Sequence, residues 1–260
     1  MIEHNIYNIK ILKFSNLQKH ENLIHYSSTR MGGSSVDHLT SLNLGYTVKD
    51  KTSNVTNNLK LLAQSLQIDK SDFVFPKQTH SANVGIVRSS IDIFRDTDAL
   101  ITNIPGICIS VRTADCVPIL LFDPVKKAIA AIHSGWKGTV QKISQKAIEL
   151  MQNEFGTNSS DLVAGIGPSI GPKVYEVGAE VVDEFYYHFK KNHLFTPIKG
   201  SDKSLLNLWK ANKQILLESG ISENQIEVAE MCTYSNSEMF FSARRDNGKT
   251  GRLATGIMLL

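Results

Sequence analysis

Three residues of this chain have the right types for metal chemistry. His80 closes Lys77-Gln-Thr-His80, just after the short apolar run Phe73-Val-Phe75. Cys116 lies in Arg112-Thr-Ala-Asp-Cys-Val-Pro118, immediately before an apolar stretch that runs to Phe122. His133 ends the run Ala128-Ile-Ala-Ala-Ile132 and opens the Gly-rich turn Ser134-Gly-Trp-Lys-Gly138. Each sits at the edge of a run that reads as a buried strand, where sites are commonly built. Two imidazoles and one thiolate suit zinc. Three protein ligands with a fourth position open suit catalysis rather than structure. Each residue also has a plain structural reading, His80 and His133 as hydrogen-bonded histidines and Cys116 as a buried, inert thiol. The gaps between them are long, and no compact CxxC or HExxH motif is present. Cys108, inside Ile107-Cys-Ile-Ser-Val111, reads as a core residue.

The elements that must position these residues follow from hydrophobic spacing. Residues 5–14 suggest an opening strand and 22–28 a second. Residues 29–47, rich in Gly, Ser and Asn, read as a long loop of the kind that often carries function. Val55, Leu59, Leu62 and Leu66 share one helical face over 54–67. Short apolar runs bounded by turn residues predict strands at 73–75, 82–88, 98–102, 106–112, 117–122 and 128–133. Helices are expected at 139–153, 177–190 and 204–219, and strands at 225–230, 239–243 and 254–259. Strands outnumber helices, and many lie too close together for helical crossovers. The fold class is therefore α+β, with mixed, largely antiparallel sheets rather than a doubly wound fold. No linker, repeat or low-complexity tract divides the chain, so residues 1–260 read as a single domain.

Composition narrows the function. The 260 residues are 42% hydrophobic and 20% charged, enough for a sizeable core. A net charge of +3 with scattered Lys and Arg gives no reason to expect a nucleic-acid partner. Three cysteines without tight spacing give no disulfide framework and make a reducing compartment the default. No stretch approaches the ~18 apolar residues of a membrane span. The N-terminus shows neither a basic region nor an apolar one like a secretory leader. A cytoplasmic protein without membrane attachment is the expectation.

Other segments carry weaker signals. Ser134-Gly-Trp-Lys-Gly138 leads into a helix, where free backbone N–H groups can bind an anion, or it is an ordinary tight turn. Its glycine spacing is not that of a P-loop. Gly165-Ile-Gly-Pro-Ser-Ile-Gly-Pro172 has the wrong spacing for a dinucleotide fingerprint and reads as a rigid turn. Glu176 either supports a site near that turn or caps the following helix. Arg244 and Arg245 are adjacent just after a predicted strand, and in alternation at most one faces a given site; the plain reading is a surface salt-bridge pair.

Taken together, these pieces resemble a known family. Ser28-Thr-Arg-Met-Gly-Gly33, Ser41-Leu-Asn-Leu-Gly45, Lys77-Gln-Thr-His80, Asp98-Ala-Leu-Ile-Thr102, Thr113-Ala-Asp-Cys-Val-Pro118 and His133-Ser-Gly-Trp-Lys-Gly138 match it in order. So do Gly165-Ile-Gly-Pro-Ser-Ile-Gly171, Tyr175-Glu-Val-Gly178, Cys232-Thr233, Phe241-Ser-Ala-Arg-Arg-Asp246 and Thr250-Gly-Arg252. The chain is similar to proteins labelled multicopper polyphenol oxidase (laccase) domain, purine nucleoside phosphorylase or peptidoglycan editing factor. The resemblance implies helices layered on mixed sheets, in an α/β/β/α-like arrangement. It implies His80, Cys116 and His133 as zinc ligands and catalytic groups, with Asp115 as a general acid or base. Arg30, Arg244 or Arg245 would bind phosphate, while Ser41 and Asn43 would orient a sugar.

The implied activity is phosphorolysis of adenosine, inosine, guanosine and methylthioadenosine, with deamination of adenosine; the partners are then a nucleoside and phosphate. The usual base-deaminase signature is absent. A second reading is amide hydrolysis by Cys116 or zinc, editing a peptidoglycan precursor. A third, copper-dependent polyphenol oxidation, suits Cys and two His. The eight histidines, however, do not form the paired motifs of a multicopper site. The family often carries Asn-Arg in the first helix, where this chain has Asn57-Asn58.

Overall fold

The structure is a computed structural model, and it describes residues 1–189 and 193–260. In chain order the strands are β1 (Ile2–Ile6), β2 (Ile9–Lys13), β3 (Leu23–Ser28), β4 (Phe73–Val74), β5 (Val84–Ile86), β6 (Ala99–Thr102), β7 (Cys108–Thr113), β8 (Val117–Asp123), β9 (Ala128–Ser134), β10 (Val163–Ile166), β11 (Glu176–Val177), β12 (Phe195–Pro197), β13 (Ser204–Leu206), β14 (Ile226–Val228) and β15 (Leu253–Leu259). The helices are α1 (Thr52–Leu66), α2 (Trp136–Val140), α3 (Ile143–Phe155), α4 (Ala179–Phe189) and α5 (Leu208–Glu218). One sheet runs β1-β2-β3-β15-β7-β4 and a second runs β14-β10-β8-β9-β6-β5; β11-β13-β12 form a small third. Pairs are antiparallel except β4–β7, β5–β6 and β10–β14. The mixed, largely antiparallel α+β architecture expected from the spacing is what forms.

Alternation along the strands builds the layers. On β8, Leu120 and Phe122 face the first sheet and join Ile109, Val111 and Ile257 in an inter-sheet core. Ile119 and Leu121 face the other way, against Ile143, Ala147 and Met151 of α3 and Ile215 of α5. On β7, Cys108 leaves that inter-sheet core for the outer face, where Tyr26, Leu62 and Leu66 cover the first sheet with α1. A strand buried on both faces reads as a continuous apolar run. That is why the runs at 117–122 and 128–133 are so uniform.

Several expectations change in detail. The opening strand at 5–14 is a hairpin, β1–β2, because Tyr7 and Asn8 both take positive φ, as a two-residue turn of this kind requires. The helix at 139–153 starts earlier and breaks at Lys142, whose left-handed φ of 55° separates α2 from α3. Residues 204–219 split into β13 and α5. Residues 239–243 form turns rather than a strand, since their backbone and Ser242 hydroxyl bond to Asp115, Asn236 and Arg245. Gly165 lies inside β10, not in a turn: a Cβ there would meet the Phe14 ring at 2.7 Å. Only the last residue of the helix expected at 177–190 falls outside the described residues.

Candidate metal centre and its cleft

His80, Cys116 and His133 meet. Their potential ligand atoms all lie within 4.8 Å of one another. One strand and two flanking loop segments bring them there. His133 belongs to β9 and pairs across the ladder with Pro118 of β8. Cys116 directly precedes β8, which places it beside Gly135 in the same register. The glycine is required by that proximity, because a Cβ at Gly135 would stand 3.1 Å from Cys116 Sγ and 3.2 Å from the His80 ring. His80 lies within the loop between β4 and β5, with a left-handed φ of 63°. Its Nε2 lies 3.8 Å from Cys116 Sγ.

The residue that organises the centre was not singled out by sequence reasoning. Asp98 precedes β6, and β6 pairs with β9 so that Asp98 falls opposite His133. Its carbonyl accepts the His133 backbone N–H at 2.7 Å, and its Oδ1 lies 2.7 Å from His133 Nδ1. The same carboxylate accepts N–H groups of Thr79, His80 and Ser81 and the Ser81 hydroxyl. One buried carboxylate thus fixes both the His133 ring and the loop that carries His80. With Nδ1 held, Nε2 is the nitrogen His133 can offer a metal, the usual arrangement behind a metal-bound histidine. Asp98-Ala-Leu-Ile-Thr102 belongs to the resemblance, but the role of Asp98 follows from the strand register, which is not visible before the sheet is known.

Charge follows the same partners. Burial works against an ionised Asp98, but hydrogen bonds from His133 and Ser81 hold its carboxyl well below the usual range. Burial also opposes a Cys116 thiolate; the adjoining His133 and His80 override it and lower the thiol. His133 is raised in turn, since the Cys116 thiolate and Asp98 outweigh the cost of burying its charge. A lowered thiol beside two imidazoles, one of them oriented by a carboxylate, is the donor chemistry that zinc requires. The three side chains therefore fit a metal of this kind.

The centre opens on a cleft of about 810 Å³. Its walls include Tyr46, Phe75, Phe94 and Tyr175, and the cations Lys77, Arg112, Arg244 and Arg252. Of the arginines expected to bind phosphate, Arg244 lines this cleft, with its guanidinium 5.0 Å from the Tyr175 ring centroid and Nη1 donating to the Glu176 carbonyl. Arg30 and Arg245 do not. Arg30 donates to the carbonyls of Thr40 and Ser237, and Arg245 to Thr233, Tyr234, Phe240 and Asp246. Both hold loops together.

Ser41 and Asn43 also lie outside the cleft lining. Ser41 bonds Arg30 and Gly33. Asn43 is fully buried, bonded to Gly45, Asp50 and Arg252. Asp115 reaches the cleft, but its carboxylate accepts Thr233 Oγ1, Ser242 Oγ and the Arg244 backbone N–H. Those three donors make it an anchor for the Arg244 loop. Asn58, where the family often has arginine, bonds Ser34, Ser35, Ser41 and Asn43 and pins the long loop.

Residues 24–260 match the family model described as multi-copper polyphenol oxidoreductase laccase. The chain is 37% identical over 264 aligned residues to a purine nucleoside phosphorylase of Bacteroides thetaiotaomicron, covering 96% of each. It is 34% identical to adenosine deaminase RL5 from an unknown prokaryotic organism, covering 96% of this chain and 98% of that one. The fold is similar to the crystal structure of Bacillus licheniformis hypothetical protein YfiH, with a TM-score of 0.91, 32% identity and 99% of both chains covered. The chain belongs to the multi-copper polyphenol oxidoreductase laccase family.

Proposed function

We propose that this family member is a zinc-dependent purine nucleoside phosphorylase, acting on adenosine, inosine, guanosine and methylthioadenosine, with adenosine deaminase activity beside it. One observation carries the reading: the cleft joins the His80, Cys116 and His133 donors to a wall of arginines and aromatic rings. Phosphorolysis forms a bond from a phosphate oxygen to ribose C1′ as the C1′–N9 bond breaks. The electron pair of that bond leaves on the purine, which takes up a proton. The rings of Tyr46 and Phe94 offer stacking faces for the purine. The guanidinium groups hold phosphate by charge-assisted hydrogen bonds. Burial raises the Tyr175 phenol, so it stays protonated and can donate a hydrogen bond to the nucleoside. Zinc, when bound, would supply Lewis acidity next to the reacting atoms.

A second reading has its own support. The lowered Cys116 thiol beside His133 and His80 is the arrangement of an activated nucleophile, which would suit amide cleavage in a peptidoglycan precursor. Copper, the metal in the family's description, also accepts one thiolate and two imidazoles.

Elemental analysis with product identification from adenosine separates these. We expect zinc in the purified protein. Adenine and ribose 1-phosphate should form only when phosphate is present, and inosine should form with or without it. Free ribose without phosphate, or cleavage of an alanyl-serine cell-wall precursor while adenosine is untouched, would replace the reading with a hydrolase. Copper together with oxygen uptake on a phenol would replace it with an oxidase.

A further inference from the structure

Arg112 lines the cleft with most of its hydrogen-bonding capacity unused. It projects from β7 with its guanidinium 3.7 Å from the Phe75 ring centroid, and Nε donates to the Leu44 carbonyl at 2.6 Å. Its two terminal nitrogens have no hydrogen-bond partner, and no carboxylate pairs with it among the described residues. Burial depresses its pKa to about 10, an unusual fate for a guanidinium. The residue is half-buried and lines the cleft, so its unpaired donors are open to an anion that enters there.

Arg252 stands beside it. Ala254 pairs with Arg112 across the β15–β7 ladder. Two residues earlier along the chain, Arg252 is therefore the diagonal neighbour of Arg112 on the same face of the sheet. Its backbone is fixed at both ends, with N–H donating to Asn43 Oδ1 and carbonyl accepting from Leu44 N–H. Nη1 donates to the carbonyls of Thr250 and Gly251, and Nε and Nη2 are left without partners among the described residues. Its side chain runs over Gly45, where a Cβ would stand 2.7 Å from Arg252 Cγ. Both residues line one cleft, and together they leave four guanidinium nitrogens without hydrogen-bond partners among the described residues.

We propose that Arg112 and Arg252 form the oxyanion subsite of the cleft, which takes the free phosphate co-substrate, with Arg244 lining the same cleft. This rests on the phosphorylase reading above and assigns the co-substrate to residues to which the resemblance gave no phosphate role. The aromatic floor under Arg112 fixes the plane of its fork, so it can present two parallel N–H donors to a tetrahedral oxyanion.

The test is direct binding of inorganic phosphate by calorimetry to the purified, metal-loaded protein, followed by the phosphate dependence of adenosine cleavage. Arg112→Gln and Arg252→Gln should each weaken phosphate binding by about 10- to 100-fold, the loss of charge-assisted hydrogen bonds. Arg112→Lys should restore only part of the affinity, because the charge returns without the fork. The surface variant Arg88→Gln, whose residue pairs with exposed Glu154, should bind phosphate as the parent does. Retained metal content and near-ultraviolet circular dichroism report an intact fold; should Arg112→Gln fail to fold, Arg112→Lys and Arg252→Gln decide the question in its place. Unchanged affinity in both Gln variants overturns the subsite while leaving phosphorolysis standing. Phosphate binding lost in the variants of a protein that cleaves adenosine without phosphate keeps the subsite and overturns the phosphorylase reading. Tight binding of AMP through both arginines, with no binding of free phosphate, overturns the co-substrate assignment in favour of a phosphate carried on the nucleotide.

Discussion

Two regions of this molecule hold a buried histidine and a cysteine, and they behave in opposite ways. In the first sheet, His25 sits on β3 and Cys108 on β7. At the metal centre, His133 sits on β9 and Cys116 precedes β8. Burial does not separate the histidines, which are 1% and 4% exposed. Partners do. His25 Nε2 accepts the Phe14 N–H at 2.9 Å, which needs the neutral ring; burial, with nearby Lys13, lowers its pKa to about 3. Burial raises Cys108 to about 12, against a weak contact with the Ser110 hydroxyl 3.7 Å away. At the centre the same burial penalty applies and is outweighed by Asp98 and by the thiol–imidazole pair. Reactive character here comes from what faces the side chain, not from residue type or depth.

The sharpest way to break this contrast is to exchange the cysteines' fates. Cys116→Ala should lose metal and reduce turnover by more than about 100-fold, beyond the effect typical of removing an outer partner of a ligand. Turnover and elemental analysis check it. A variant that keeps both would leave the centre without its thiolate role.

Asp98→Asn tests whether the carboxylate makes the difference between the two histidines. The amide can still hold one side of the His133 ring but cannot stabilise charge there. Metal affinity should fall about 10- to 100-fold, read by competition with a chromophoric chelator. Equal affinity would place the control of His133 elsewhere.

The structural histidine has its own signature. Its folded pKa lies near 3 against an ordinary 6.5, so between these values the unfolded chain binds a proton that the folded one does not. Stability from His25 is complete above the ordinary value and is lost as pH falls below it. From about pH 7.5 to about pH 5 this should remove about 2 kcal/mol from the unfolding free energy. Urea denaturation of the parent and of His25→Gln checks it: the variant should be less stable at neutral pH and lose less on acidification.

The smallest effect belongs to Cys108→Ala. It removes a sulfur from a packed interior and should cost about 1–2 kcal/mol of stability, with metal content and turnover retained. An inactive Cys108→Ala beside an active Cys116→Ala would invert the comparison.

Much of the centre was legible in the sequence. The apolar runs that became β8 and β9 placed Cys116 and His133 at strand ends, and a strand before His80 did the same. What escaped was whatever depends on pairing between distant segments. Asp98 is an ordinary aspartate until the β6–β9 register sets it opposite His133. Arg112 reads as part of a strand until its lack of an acid partner can be seen. Arg30 and Arg245 read as free cations, although backbone carbonyls of turns distant in sequence occupy them. In the fold, local exceptions were the obstacle. The Tyr7-Asn8 turn and the Lys142 break use non-glycine residues at positive φ, and Gly165 serves a strand because Phe14 fills the space above it.

The Asp98 carboxylate has a thermodynamic consequence. Its hydrogen bonds tie the His80 loop and the His133 ring together through protein atoms alone, and apolar side chains fill the cores on both faces of the second sheet. Ordering of the ligands is therefore part of folding rather than part of ion capture. Small zinc domains melt when stripped, since their ligands have no other reason to converge. Here a chelator should withdraw the ion and leave the melting transition cooperative, displaced only by the mass-action contribution of the lost ligand.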